Sequence, residues 1–283
     1  MQTEAIDKHS ISIDGSAINY YEAGREGSPI VLLHGGGVDS ALISWEEIIP
    51  GLAKRHRVIA PDLPGYGLSA KPRVAYTQEY YLDFLGKFLN ALQLEKPSLA
   101  GLSLGGGISL GFTLAHPERV DKLILVDSYG IMSYLAYHKL TYFYIFTPLN
   151  ELSYWLFKRS KALVRESLKA AIYDPQNITD ALVERLWQDV SDPFAGKAFT
   201  AFQRSEYRWN GAKTDYTPRL GEIRTPTLIL HGDHDTTVPV FWAERAHVAI
   251  PDSRYVLLKN RRHWALRDQP DEIVAIMLEF LGE

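Results

Sequence analysis

The sequence predicts an α/β protein: a mostly parallel central sheet flanked by helices, with a helical cap inserted into it. Three observations carry this. Short apolar runs such as Ile30-Val31-Leu32-Leu33 and Lys122-Leu123-Ile124-Leu125-Val126 alternate with stretches of helical spacing, the pattern of parallel strands buried on both faces. Several runs stop abruptly at Gly, Asp or His. Residues 128–218 then hold helical patterns but no buried β run, which breaks the alternation once.

Taken in order, Ile11-Ser12-Ile13 and Ala17-Ile18-Asn19-Tyr20-Tyr21 alternate in polarity and are joined at Asp14-Gly15, a hairpin signal. Ile30 to Leu33 is a buried strand that stops at His34-Gly35-Gly36-Gly37. Trp45, Ile48, Ile49 and Leu52 recur at helical spacing, and Arg57-Val58-Ile59-Ala60 is the next strand, ending in Pro61-Asp62-Leu63-Pro64-Gly65-Tyr66-Gly67-Leu68-Ser69. Tyr81, Phe84, Leu85, Phe88, Leu89 and Leu92 mark one helix face, with Thr77 as N-cap. A strand from Pro97 to Ala100 feeds Gly101-Leu102-Ser103-Leu104-Gly105, and the helix beyond it should end by His116, because the residue before a proline avoids helical ψ. Lys122 to Val126 is again a strand. After the cap the sheet resumes at Thr227-Leu228-Ile229-Leu230, followed by His231-Gly232-Asp233-His234-Asp235-Thr236-Thr237-Val238-Pro239 and a helix from near Pro239. Tyr255-Val256-Leu257-Leu258 is the last strand, then the loop Lys259-Asn260-Arg261-Arg262-His263-Trp264 leads to a helix bearing Ile273, Ile276, Met277 and Phe280. The expected organisation is a core of residues 1–127 and 219–283 interrupted by a cap of residues 128–218.

Composition narrows the chemistry. The 283 residues carry a formal charge of −4 with acids and bases interspersed, so nothing resembles a phosphate-tracking surface and no nucleic-acid partner is expected. With no cysteine, thiolate metal sites and cysteine nucleophiles are excluded together. The N-terminus lacks a basic segment followed by an apolar one, so a cytoplasmic location is expected. No apolar run approaches the ~18 residues of a membrane span. The sequence says nothing of oligomeric state.

Within the cap, residues 134–157 are rich in aromatics, including Tyr137, Tyr142, Phe143, Tyr144, Phe146, Tyr154 and Trp155. They read either as packing or as the wall of an apolar acyl or aryl pocket; Tyr137 and Tyr144 are the pocket candidates. Residues 180–190, capped by Thr179, and residues 197–209 read as two more helices.

In open parallel sheets ligands bind beyond the carboxyl ends of strands. Gly101-Leu102-Ser103-Leu104-Gly105 has the form of a nucleophile elbow, a strained strand-to-helix turn needing small residues two positions either side of the serine. Taken alone it fits a plain structural turn equally well. Acyl transfer, however, needs a hydroxyl, an imidazole base, an orienting carboxylate and N–H donors for an oxyanion, and the strand ends supply all four, in the order Ser, Asp, His. No metal is expected, because the histidines and carboxylates lack a spacing such as His-Glu-x-x-His. No cofactor is expected either: Gly105-Gly106-Gly107 lacks a Walker lysine and His34 to Gly37 opens no dinucleotide fingerprint.

These pieces together resemble the α/β-hydrolase fold superfamily, in a capped form, over nearly the whole chain. The matching motifs are His34-Gly35-Gly36, Asp62-x-x-Gly65-x-Gly67-x-Ser69, the Ser103 elbow, Gly232-Asp233-x-Asp235-x-x-Val238-Pro239, and His263 before the last helix. The resemblance implies Ser103 as nucleophile, Asp235 as orienting acid and His263 as general base, with oxyanion donors at the Gly36 and Leu104 N–H and Gly37 as the alternative donor. Asp233 and Asp127 compete with Asp235; Asp233 reads also as a turn brace. Arg262 departs from the glycine usual before the histidine, so that loop is shaped differently. Of the other histidines, His34 and His231 end strands and read as structural.

Serine at the elbow disfavours the dehalogenases and epoxide hydrolases of this superfamily, which attack with aspartate. The expected activity is hydrolysis of a carboxylic ester of a small, apolar substrate through an acyl-Ser103 intermediate. The alternative is carbon–carbon bond hydrolysis of a vinylogous diketone, since His34-Gly35-Gly36-Gly37 and His263-Trp264-Ala265 resemble the meta-cleavage product hydrolases, with Trp264 then a substrate contact. Against it, Leu102 stands where those enzymes usually carry asparagine. A third reading is a small-molecule receptor that retains the triad.

Overall fold

The structure, a computed structural model, describes residues 5–282. Ten strands follow one another as β1 (Asp7–Ile13), β2 (Ser16–Ala23), β3 (Pro29–Leu33), β4 (Arg57–Pro61), β5 (Ser98–Leu102), β6 (Leu123–Val126), the short β7 (Tyr207–Arg208) and β8 (Gly211–Ala212), β9 (Thr227–Gly232) and β10 (Ser253–Leu258). Between β3 and β4 lie α1 (Ala41–Trp45) and α2 (Ile49–Leu52); α3 (Gln78–Ala91) precedes β5 and α4 (Leu104–Ala115) follows it. Helices α5 (His138–Phe146), α6 (Leu149–Phe157), α7 (Lys161–Leu168), α8 (Asp180–Ser191) and α9 (Lys197–Glu206) come between β6 and β7; α10 (Val240–Ala249) and α11 (Pro270–Gly282) complete the chain.

Eight strands form one sheet in the order β1-β2-β4-β3-β5-β6-β9-β10. Within this sheet, among the described residues, β1 with β2 and β2 with β4 are antiparallel and the other pairings are parallel; β7 and β8 form an antiparallel ribbon of their own. The β1–β2 turn places Asp14 and Gly15 at φ 49° and 76°, the two left-handed positions a tight hairpin requires. Strand alternation splits the core in two. Val31, Leu33 and Leu125 face α3, α4 and α10, while Ile30, Leu32 and Ile124 face α1, α2 and α11. Because β4 lies on one side of β3 and β5 on the other, the winding reverses between them, and a crevice opens beyond their carboxyl ends.

Three local expectations are corrected. The helix expected around Trp45 to Leu52 is two short helices, because Pro50 has no N–H to donate back into the preceding turn. The helix expected over 197–209 ends at Glu206, where the chain enters β7 and the two-residue turn Trp209-Asn210 reverses it into β8. The aromatics of residues 134–157 are not uniformly packed, and none of them lines the cavity beside Ser103: Tyr137, Phe143 and Trp155 are 83%, 57% and 49% exposed. Helix α5 carries apolar side chains around its whole circumference, and only Ile145 is fully covered by its neighbours.

Candidate active site

Ser103 sits between β5 and α4 at φ 49°, ψ −111°, a conformation costly for any residue with a Cβ. The surroundings hold it there: its N–H donates to Val126 O at 2.9 Å and its carbonyl accepts from Gly107 N and Tyr129 N, each at 3.0 Å. The turn is tight enough that a Cβ on Gly101 would lie 2.2 Å from Gly105 C, and one on Gly105 2.2 Å from Leu33 O. Both obstacles are backbone atoms, with no flexible side chain to move aside. Gly105→Ala is therefore expected to push α4 off β3, costing roughly 3 kcal/mol and about 6–12 °C of melting temperature. A thermal melt unchanged from the parent chain would refute that account of the turn.

The strained turn aims the Ser103 hydroxyl at His263, whose Nε2 lies 2.9 Å from Oγ; Nδ1 of the same ring lies 2.8 Å from Asp235 Oδ2. An ionised Asp235 accepts from Nδ1–H, so the assigned tautomer leaves the Nε2 lone pair facing the hydroxyl. The other carboxylate oxygen, Oδ1, accepts from Thr237 N at 2.7 Å and Val238 N at 2.9 Å, which fixes the acid on the β9–α10 loop. Burial disfavours charge on both partners, but their mutual attraction outweighs it: Asp235 is held below its usual 3.8 and His263 above its usual 6.5.

The competing carboxylates do other work. Asp233 Oδ1 accepts from Arg261 N at 3.2 Å and lies 2.7 Å from His234 Nδ1, so it braces the loop that carries His263. Asp127 is fully buried behind the site, with Oδ1 accepting from Gly232 N and Oδ2 from Ala265 N; it ties β9 to the residues just after His263. Desolvation and then the charge of Asp235 push the Asp127 carboxyl well above the usual range, while Asp235 is held below it, so charge in the pair is favoured on Asp235. Asp127, His231 and Asp235 bring ligand atoms within 4.8 Å of one another. Backbone N–H groups already point at both carboxylates, and the same dipoles would repel a cation. His34 is structural as well. Its Nε2 accepts from Leu63 N at 3.0 Å, and burial lowers its pKa to about 4.

Ser103 and His263 open onto a cavity of about 330 Å³, and Gly36, Leu104 and Trp264 are in its wall. Among the described residues the Gly36 and Leu104 N–H groups have no hydrogen-bond partner, so both are free to receive a charge. Gly37, the alternative donor, at φ 83°, is not in the wall of this cavity and lines an adjoining polar cleft of about 600 Å³. Tyr137 and Tyr144 do not line the cavity: Tyr137 is solvent-exposed at the start of α5, and Tyr144 Oη lies 2.6 Å from Ser153 Oγ. The aromatic wall is instead Phe199 and Phe202 from α9 with Tyr129, Tyr207 and Trp264, beside the apolar Met132 and Leu135. None of Tyr129, Phe199, Phe202 and Tyr207 is marked by the sequence, although Phe199 and Phe202 stand three residues apart on one face of α9. Phe199 approaches so closely that a Cβ on Gly36 would fall 2.2 Å from its ring, so the position demands a residue without one.

Comparison with known proteins agrees with this geometry. A family described as alpha/beta hydrolase fold matches residues 28–270. The 2-hydroxy-6-oxo-6-(2'-aminophenyl)hexa-2,4-dienoic acid hydrolase of Metapseudomonas resinovorans is 31% identical over 275 residues, covering 96% of this chain and 90% of that protein. The 2-hydroxymuconate semialdehyde hydrolase of a Pseudomonas species is 29% identical over 95% of this chain and 92% of its own length. Among solved structures, a meta-cleavage product hydrolase from Pseudomonas fluorescens superimposes with a TM-score of 0.83 at 28% identity, covering 97% of each chain.

Proposed function

The chain belongs to the alpha/beta hydrolase fold family and is a hydrolase, and from that premise we propose that it cleaves a carbon–carbon bond beside a ketone in a small vinylogous diketone of the meta-cleavage type. The hydrogen-bonded row Ser103–His263–Asp235 at the wall of a largely apolar cavity is the observation that carries the proposal. The relatives named above, by name a dienoic acid hydrolase, a 2-hydroxymuconate semialdehyde hydrolase and a meta-cleavage product hydrolase, support the bond type. They displace the carboxylic ester expected from the sequence to second place.

In this reading His263 Nε2 takes the proton of Ser103 as Oγ attacks the ketone carbon, and the oxyanion lies against the Gly36 and Leu104 N–H groups. Collapse breaks the carbon–carbon bond and expels a carbanion, which conjugation with the second carbonyl delocalises; imidazolium His263 returns the proton to that fragment. Water, deprotonated by His263, then frees the acyl group from Ser103. Residues 128–218 act as a cap and residues 1–127 and 219–283 as the core, supported by Leu135, Phe199 and Phe202 reaching the cavity from the inserted segment. Among the described residues no helix is long and apolar enough to cross a membrane; the cytoplasmic location stays part of the reading on the sequence alone.

A specific observation favours the ester as the second reading. Leu102 stands in the cavity wall, and among the described residues lining the cavity there is no Lys or Arg to meet a dienoate carboxylate. The same steps then apply with an alkoxide as leaving group. Loss of absorbance of a 2-hydroxy-6-oxo-dienoate, run beside a p-nitrophenyl ester series, decides between them. A higher kcat/KM on the dienoate is expected, and the reverse ranking would install the ester reading. No turnover of either, with Ser103 unlabelled by a fluorophosphonate, would leave the receptor.

The base must be neutral to work, so kcat/KM is expected to rise with pH through the His263 pKa, placing the acid limb above 6.5. Because the Asp235 charge raises that pKa, Asp235→Asn should move the limb to lower pH. An acid limb unmoved in that variant would assign it to another group.

A further inference from the structure

The loop from His34 to Ser40 is held closed by one side chain that neither the fold nor the row of catalytic groups accounts for. Asp39 Oδ2 accepts from Gly35 N at 2.8 Å and from Ser44 Oγ at 2.7 Å, while Oδ1 accepts from Ser40 N at 2.8 Å. The carboxyl group thus bridges the start of the loop to its end. Gly36 and Gly37 bulge between the two clamped points, and Gly36 is the residue that offers its N–H to the cavity. Asp39 also lines both the catalytic cavity and the adjoining polar cleft.

We propose that Asp39 is a positioning residue for the oxyanion: by clasping Gly35 it fixes the direction of the Gly36 N–H toward the charge that develops during attack by Ser103. This rests on the reading of Ser103 and Gly36 given above. A donor aimed in advance costs no reorganisation when charge appears, whereas an error of about 1 Å can cost on the order of 100-fold. A residue that merely braced α1 would make the Ser40 and Ser44 contacts. The bond to Gly35 would serve no purpose there.

The group adds a charge effect. Its carboxyl, largely removed from water, has its pKa pushed up to about 7 by burial, in spite of the Ser44, Ser40 and Gly35 hydrogen bonds and the Arg267 charge. The titratable groups facing it are Arg267 and Tyr66, with Tyr21, Asp62, Lys71, Arg185, Asp189 and Asp192 around the cleft and His263 across the catalytic cavity. A neutral Asp39 still accepts the clasping bonds. An ionised one sets a negative charge beside the developing oxyanion, which opposes its formation.

The full-length chain, its Asp39→Asn variant and its Asp39→Ala variant should be compared on a p-nitrophenyl acyl ester, since acylation of Ser103 is common to both substrate readings. Asparagine keeps an oxygen for Gly35 but turns a donor toward Ser40 N; alanine keeps nothing. The expected kcat order is parent, Asn, Ala, with a loss of roughly 10- to 100-fold for alanine and KM within about twofold. The parent kcat is expected to descend as Asp39 ionises above neutral pH, and that descent should disappear in both variants. If the alanine variant does not fold, the asparagine variant decides. A kcat within twofold of the parent, or a change confined to KM and melting temperature, would overturn the proposal. If the parent chain itself neither turns over the ester nor takes a fluorophosphonate label at Ser103, the catalytic reading fails first, and the two failures are distinguishable.

Discussion

Replacing Ser103 by alanine is expected to lower kcat on the order of 10⁶-fold, the loss seen when a triad nucleophile is removed, with the melting temperature within about 3 °C of the parent. The hydroxyl makes one hydrogen bond, to His263 at 2.9 Å, and a lost bond of that kind costs about 1 kcal/mol. The backbone is pinned independently through Val126 O, Gly107 N and Tyr129 N. Activity and stability therefore separate at this position. They separate further with glycine, because a residue bearing a Cβ at φ 49°, ψ −111° stores on the order of 1–3 kcal/mol of strain that glycine does not feel. Part of that relief is offset by the greater freedom of glycine in the unfolded chain. Ser103→Gly should be equally inactive and more stable than Ser103→Ala by about 1 kcal/mol, or about 2–4 °C. A glycine variant less stable than the alanine variant would show that no strain is stored at the turn, and residual turnover above about 1% in either would remove Ser103 from the reaction.

That strain also explains which parts of the site are legible in the sequence. The elbow is written locally: the Ser103 turn works only if Gly101 and Gly105 lack a Cβ, and the loop after β3 must carry glycines where Phe199 and Asp39 close on it. Steric demands of that sort leave a fixed residue at a fixed spacing, while Asp235 and His263 stand in order at later strand ends because their hydrogen bonds must meet at Ser103. The cavity wall is different. Phe199 and Phe202 reach it from α9, and Tyr129 from just after β6, through tertiary packing between segments far apart in the chain. Any large apolar residue satisfies such a contact, so Tyr137 and Tyr144 looked as suitable in sequence as Phe199. What sends Tyr137 to solvent is the packing of α5, a short helix apolar on every side, and its spacing does not announce which side is covered.

Asp235 and Asp233 give the second large effect, because they are two residues apart, both acidic, and differ only in what the loop lets them touch. Asp235 is buried, receives the Thr237 and Val238 N–H groups on one oxygen and holds His263 Nδ1 with the other. Asparagine there keeps the shape of the side chain but can present an amide N–H to Nδ1, which favours the tautomer with the proton on Nε2 and leaves the ring unable to accept from Ser103. Asp235→Asn is therefore expected to reduce kcat on the order of 10⁴-fold. At Asp233 the carboxylate meets Arg261 N and His234 at the outer side of the loop, and its pairing with His234 adds only a partly exposed contact. Asp233→Asn should leave kcat within about tenfold and act mainly through looser placement of the Arg261 to His263 segment, with KM and melting temperature changing more than the chemical step. Rescue distinguishes the two in a second way: a carboxylate such as formate, small enough to enter the space left by Asp235→Ala, should restore part of the lost rate there and none in Asp233→Ala. The opposite ranking of the two asparagine variants would transfer the orienting role to Asp233. Comparable losses of about 10⁴-fold in both would mean that the brace and the acid act as one hydrogen-bonded unit, with the loop of His263 as the element they share.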